Sequence, residues 1–185
     1  MEKFIPVVVI KKLEETDKIL TALKNNGIFT AEITFRTACA EEAIKYAVEK
    51  YGDMTIGAGT VINKSQCKRA LKAGAKFIVS PGLSVKVAKL CKKKNIPYYP
   101  GCVTPTEIMS ALELGIDIVK FFPANIYGGL SALKALSAPF PQVKFIPTGG
   151  VDRSNIEEFL AFDKVYAIGG SFFVKEALDK MEKEN

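Results

Sequence analysis

The feature that most constrains this chain is its strict alternation of short apolar runs with amphipathic stretches. Eight runs read as strands: Ile5–Ile10, Phe29–Phe35, Thr55–Ala58, Phe77–Val79, Pro97–Tyr99, Ile116–Phe122, Lys144–Ile146 and Val165–Ile168. Between them the apolar positions recur with helical spacing over Leu13–Asn25, Ala40–Tyr51, Lys64–Ala73, Ser84–Lys93, Pro105–Leu114, Leu130–Leu136 and Asn155–Ala161. A last helix starts near Phe173 and runs into a charged tail. Eight βα units with no linker or low-complexity segment imply a parallel sheet covered by helices. The expectation is one α/β domain over residues 1–185, a small (β/α)8 TIM barrel, with an open doubly wound sheet as the structural alternative. Sharing 185 residues among eight units leaves about 23 for each, so the loops must be minimal.

Composition excludes several chemistries. Hydrophobic residues at 48% and charged residues at 25% fit a globular chain, and no apolar run approaches the roughly 20 residues of a membrane helix. The N-terminal apolar run is too short for a signal peptide, so the expected location is the cytoplasm. There is no histidine, and Cys39, Cys67, Cys91 and Cys102 lie far apart without a CxxC pair. That removes Cys/His zinc sites and every histidine-based triad, though not a carboxylate-bound Mg2+. Free thiols are expected in a cytosolic chain. The net charge of +6 could serve nucleic acid, but the densest run, Lys92-Lys93-Lys94, falls where a helix should end and where cations complement the helix dipole. A positive balance also attracts small anions.

Most strand candidates end in small-residue or proline turns: Gly57-Ala58-Gly59-Thr60, Ser80-Pro81-Gly82, Pro100-Gly101, Pro123-Ala124-Asn125, Thr148-Gly149-Gly150 and Gly169-Gly170-Ser171. All belong to the C-terminal face of the strands, where barrel enzymes carry their sites. Short βα turns need Gly and Pro in any case. Charged residues near two strand ends are not explained that way.

Lys120 sits on a mainly apolar strand. Alternation puts Ile116, Ile118, Lys120 and Phe122 on one face and Val119 and Phe121 on the other. The outer face must pack on helices, which places Lys120 inward near the mouth. Burial there disfavours the ammonium and favours the neutral amine that attacks a carbonyl. The alternative is a strand-end lysine reaching out to water. On the second strand, Glu32, Thr34 and Arg36 share a face. Glu32 can act as a general base and then acid, and Arg36 can grip a substrate carboxylate through paired hydrogen bonds. A Glu32–Arg36 salt bridge closing the barrel end is the competing reading. Thr60 offers a hydroxyl to an anionic or carbonyl oxygen, or serves as an ordinary helix cap. The glycines of Thr148-Gly149-Gly150 and Gly169-Gly170-Ser171 let the backbone approach an anion at helix starts, a frequent phosphate site after strands seven and eight.

Taken together, these segments resemble the KDPG/KHG aldolases, which act on 2-keto-3-deoxy-6-phosphogluconate and 4-hydroxy-2-oxoglutarate. The match is carried, in order, by Glu32-Ile-Thr-Phe-Arg-Thr37, Gly57-Ala-Gly-Thr-Val61, Ser80-Pro-Gly-Leu83, Lys120-Phe-Phe-Pro-Ala124, Pro139-Phe140, Pro147-Thr-Gly-Gly-Val151 and Ile168-Gly-Gly-Ser171. The resemblance implies a class I (Schiff-base) aldolase, a lyase of carbohydrate metabolism, that releases pyruvate and glyceraldehyde 3-phosphate. It implies Lys120 as the Schiff-base lysine and Glu32 as the general acid/base. Arg36 and Thr60 would hold the pyruvate carboxylate, and Gly149, Gly150 and Ser171 the phosphate. It further implies a homotrimer that uses no metal and no cofactor, with no nucleic-acid or membrane partner. Alternatives are an aldolase for a related 2-keto acid, such as 2-keto-3-deoxy-6-phosphogalactonate, or a non-catalytic trimeric barrel. The chain departs from the family at Asn125, where an acidic residue is common, and at Phe172, where some members carry tryptophan. It also starts almost directly at the first strand and stops within or just after the eighth helix.

Overall fold

All eight strands expected from the alternation form, and every pairing between them is parallel. The computed structural model describes residues 3–183. In chain order the elements are β1 (Phe4–Val8), α1 (Glu15–Asn25), β2 (Thr30–Thr34), α2 (Ala40–Lys50), β3 (Thr55–Gly59), α3 (Lys64–Lys72), β4 (Ile78–Ser80) and α4 (Val85–Lys94). There follow β5 (Tyr98–Pro100), α5 (Pro105–Glu113), β6 (Ile118–Phe121), α6 (Gly129–Ser137), β7 (Lys144–Pro147), α7 (Ile156–Leu160), β8 (Ile168–Gly170) and α8 (Phe172–Lys183).

Six strands pair in the order β5-β4-β3-β2-β1-β8, and β6 pairs with β7. Bridges at Gly101↔Lys120, Phe145↔Val165 and Thr148↔Gly169 join the two sheets on both sides. The strands therefore close on themselves, and the open doubly wound alternative is set aside.

Strand alternation sorts the core into an outer and an inner part. Outward residues such as Ala31, Ile33, Ile56, Ala58 and Ile78 pack under the helices of the first half of the barrel. Val119, Phe121, Phe145 and Ile168 do the same for the second half. A smaller inner cluster of Ile5, Phe77, Val79, Tyr99, Ile146 and Ala167, with Ile118 against it, fills the barrel axis. Lys120 thus has the inward parity expected of it, two residues beyond Ile118.

The helices start where the sequence offers side-chain acceptors for otherwise unbonded N–H groups. Asn63 accepts from the Gln66 N–H ahead of α3, and Ser84 from the Val87 N–H ahead of α4. Thr104 and Glu107 form a reciprocal capping box around Pro105 in α5. Lys92, Lys93 and Lys94 occupy the last turn of α4, which stops at left-handed Asn95. The lysine run is therefore a helix end, as the electrostatic reading expected. No helix among the described residues is long and apolar enough to cross a membrane.

Candidate active site

Lys120 and Glu32 meet inside the C-terminal mouth. Lys120 comes from β6 and Glu32 from β2, and their side chains are 6% and 3% exposed with Nζ 3.5 Å from Oε1. The lysine is not a snorkelling strand-end residue. The contact is long for a hydrogen bond, and the buried Oε1 has no hydrogen-bond partner. A buried carboxylate oxygen without a donor is costly and uncommon. It suits a group that must accept a proton from something else that enters. Glu32 fits only because β3 carries Gly59 beside it, where a Cβ would lie 2.0 Å from Oε1. The Phe122 ring lies 5.2 Å from Nζ and walls the amine on the other side.

The lysine backbone is held firmly. Lys120 is in register with Ile146 of β7, bridges Gly101 beyond β5, and its carbonyl accepts from the Cys102 N–H at 2.9 Å. The Cys102 side chain itself points outward into the core under the helices, where burial pushes its thiol up to about 12.

Arg36 does not pair with Glu32. Its Nε donates to Thr60 Oγ1 at 2.9 Å. β2 ends at Thr34, so Arg36 lies in the turn beyond it while Glu32 points from the strand to Lys120, and the salt-bridge alternative fails. Thr60 is no helix cap either, since Asn63 caps α3. Thr60 has φ of 54°, a left-handed conformation costly for a β-branched residue. That backbone turns its hydroxyl to the arginine, fixing the direction of the guanidinium.

A cavity of about 320 Å3 is lined by Arg36, Lys120, Phe122, Thr148, Gly149, Gly150, Gly170 and Ser171, among others. Gly149 and Gly150 both have positive φ, at 85° and 75°, and a Cβ on Gly150 would lie 2.3 Å from the Asn125 side chain, so the turn requires glycine. The loop after β6 is laced to this turn: the Ala124 and Asn125 N–H groups donate to the Thr148 and Gly149 carbonyls, and Asn155 Nδ2 donates to the Gly150 carbonyl. Ser171 immediately precedes α8, whose Val174 N–H donates to the Ser171 carbonyl. Lys120, Arg36, Gly149, Gly150 and Ser171 therefore line one hollow, with Glu32 beneath it and Thr60 behind the arginine. A larger hollow of about 420 Å3 lies beside the N-terminal ends of β5 and β6, with Lys92 and Asp117 among its residues but no buried amine. Among the described residues, no group of three or more Cys, Asp or Glu side chains could hold a metal ion.

Sequence reasoning gave Gly59 and Phe122 no part in the site, and Thr148 a part only as a member of the Thr148-Gly149-Gly150 loop. Phe122 was within reach of it, because it shares inward parity with Lys120. Gly59 was not, because its role is the space it leaves for a side chain on the neighbouring strand β2.

The geometry defines a class: a (β/α)8 barrel with a buried amine, an unbonded carboxylate oxygen and an arginine grouped at the C-terminal mouth. Residues 1–185 match the family described as KDPG and KHG aldolase, and the chain belongs to that family. The 2-dehydro-3-deoxy-phosphogluconate aldolase of Treponema pallidum is 42% identical over 93% of this chain and 82% of its own. The KHG/KDPG aldolase of Escherichia coli K12 is 41% identical over 92% of this chain and 80% of its own. The crystal structure of the KDPG aldolase of Legionella pneumophila holds pyruvate captured at low pH as a covalent carbinolamine intermediate. That structure superposes with a TM-score of 0.91 at 41% identity, covering 97% of this chain and 88% of its own.

Proposed function

We propose that this protein is a class I aldolase that reversibly cleaves 2-keto-3-deoxy-6-phosphogluconate to pyruvate and glyceraldehyde 3-phosphate. The observation that carries the reading is the buried Lys120–Glu32 pair opening onto the same cavity as the Gly149–Gly150 turn and Ser171. A nucleophilic amine and an anion cradle in one hollow suit a phosphorylated keto acid.

In this mechanism neutral Lys120 attacks the C2 carbonyl to give a carbinolamine, the species captured with pyruvate in the Legionella relative. Loss of water gives a protonated imine, which is the electron sink. Glu32 takes the proton of the C4 hydroxyl through the oxygen that has no donor in the free protein. The C3–C4 bond breaks, its electron pair passes to the imine, and glyceraldehyde 3-phosphate leaves. Glu32 returns the proton to C3 of the enamine, and hydrolysis frees pyruvate and Lys120. Arg36, aimed by Thr60, holds the substrate carboxylate. Amides at Gly149 and Gly150 and the Ser171 hydroxyl hold the phosphate.

We further propose that the chain works as one domain over residues 1–185, in the cytoplasm and as a homotrimer, with no membrane or nucleic-acid partner. Exposed Ile62, Val85, Met109, Ile126 and Tyr127, on the segments that follow β3 to β6, offer an apolar surface for subunit contact. The Escherichia coli relative is named for both substrates, so 4-hydroxy-2-oxoglutarate is a second substrate to assay.

Borohydride reduction in the presence of pyruvate tests the reading. A stable adduct mapped by mass spectrometry to Lys120, absent in Lys120→Ala, is the expected result. No adduct, or an adduct on another lysine, overturns it. In a substrate panel, preference for the phosphorylated sugar acid supports the cradle at Gly149, Gly150 and Ser171, and indifference to the phosphate removes it.

A further inference from the structure

Two thiols outside the site lie side by side. Cys67 of α3 and Cys91 of α4 are both buried, and their sulfurs are 3.7 Å apart in a hydrogen bond. No mechanism for the aldol reaction uses either. Buried sulfurs are ordinarily inert because oxidants do not reach them. Cys91 is different, because it lines the hollow of about 420 Å3 beside the lower ends of β5 and β6. That hollow arises at the seam of the barrel: β5 and β6 are joined at Gly101↔Lys120, and the strands part below this bridge. Its rim carries Lys92 and exposed Asp117, so a small polar molecule can enter from water.

We propose that Cys67 and Cys91 form a reversible intramolecular disulfide on exposure to a hydroperoxide. Hydrogen peroxide entering the hollow oxidises the Cys91 thiol to a sulfenic acid and is itself reduced to water. The Cys67 sulfur then attacks the Cys91 sulfur, forming the S–S bond and expelling the sulfenyl oxygen as a second water. The pair loses two electrons and the peroxide gains two. The hydrogen bond between them holds the Cys67 thiol below its ordinary range and the Cys91 thiol above it, so the reaction of Cys91 with peroxide is the slow step. In a reducing cytosol the pair stays open; in an oxidising one it ties α3 to α4 across a separation of 24 residues. Closing such a loop raises Tm by about 6–12 °C, from the usual chain-entropy effect and the usual slope of Tm for a chain of this size.

The test uses the full-length wild-type chain treated with hydrogen peroxide. The expected product has an intact mass lower by two hydrogens and loses two of its four titratable thiols. Peptide mapping without reductant links the Cys67 and Cys91 segments, and dithiothreitol reverses both the link and the rise in Tm. In Cys67→Ser the same treatment leaves a sulfenic acid on Cys91 that dimedone traps, with no rise in Tm. Persistence of all the thiols, over-oxidation to sulfinic acid without the link, or a link that joins separate chains overturns the proposal. Half-buried Cys39, whose thiol donates to the Ile10 carbonyl, is the internal control and enters no cross-link.

Discussion

The two ends of the barrel interior use the same strands for opposite purposes. At the N-terminal end Ile5, Phe77, Val79, Tyr99, Ile146 and Ala167 fill the axis with hydrocarbon and aromatic rings. One inward step further along, Ile118 gives way to Lys120, Ile146 to Thr148 and Ala167 to Gly169. The lower end gains from burying apolar surface, at about 25 cal/mol per Å2 removed from water. The upper end removes two ionisable groups from water and leaves a carboxylate oxygen without a donor. Removing charges from water is the larger cost unless hydrogen bonds complete the pair, and here they do not. The difference teaches that apolar burial lies below and the ionisable pair above, a division seen on β6, β7 and the approach to β8.

Replacing the pair by apolar residues breaks that comparison most sharply. Lys120→Met combined with Glu32→Leu abolishes cleavage, by at least about a thousandfold in kcat. The same protein is as stable as wild type or more stable by about 1–4 kcal/mol in denaturant unfolding. A marked loss of stability would mean that the pair holds the mouth together. Phe77→Ala is the mirror experiment at the other end. Phe77 is 1% exposed and packs on Tyr99 with ring centroids 6.0 Å apart. Its truncation costs about 3–5 kcal/mol of stability, while the folded fraction keeps its kcat/KM and its pyruvate adduct. A kcat that falls as steeply as the stability would join the two ends into one unit.

The smallest effect belongs to neither end. On the outer surface Asp17 binds Lys50 at 2.5 Å and accepts a hydrogen bond from the Tyr51 hydroxyl at 2.6 Å. The Lys50 ammonium, with the Tyr51 and Tyr46 hydroxyls, holds the Asp17 carboxyl below its ordinary range. A carboxyl depressed in the folded state stabilises above its unfolded pKa of about 3.9, and the contribution is lost as pH falls through the lower folded value. Exposed pairs of this kind are weak, so Asp17→Asn lowers Tm by about 1–4 °C at neutral pH. The gap between variant and wild type closes in thermal melts at acid pH, and cleavage is unaffected.

The alternation made the barrel legible because parallel strands buried on both faces leave an unmistakable apolar trace. Parity was legible too: Lys120 inward and Val119 and Phe121 outward is what the packing shows. Strand ends were less so. Gly59, Ser80, Pro100 and Gly170 read as turn residues, yet each is the last residue of a strand. At a narrow mouth small residues belong in strands because larger ones would collide, as a Cβ on Gly59 would with Glu32. The partner of Glu32 was not legible. Parity says which residues share a face, but it does not carry the distance across the barrel that brings Glu32 to Lys120 rather than to Arg36. Nor does a threonine announce a positive φ, so the turn that aims Thr60 at Arg36 emerged only with coordinates.

The bridge between Gly101 and Lys120 puts the buried amine on the very rung that closes the barrel between β5 and β6. On the proposed mechanism, the nucleophile is completed by the pairing that finishes the cylinder, because the strand that carries this rung also sets Lys120 beside Glu32.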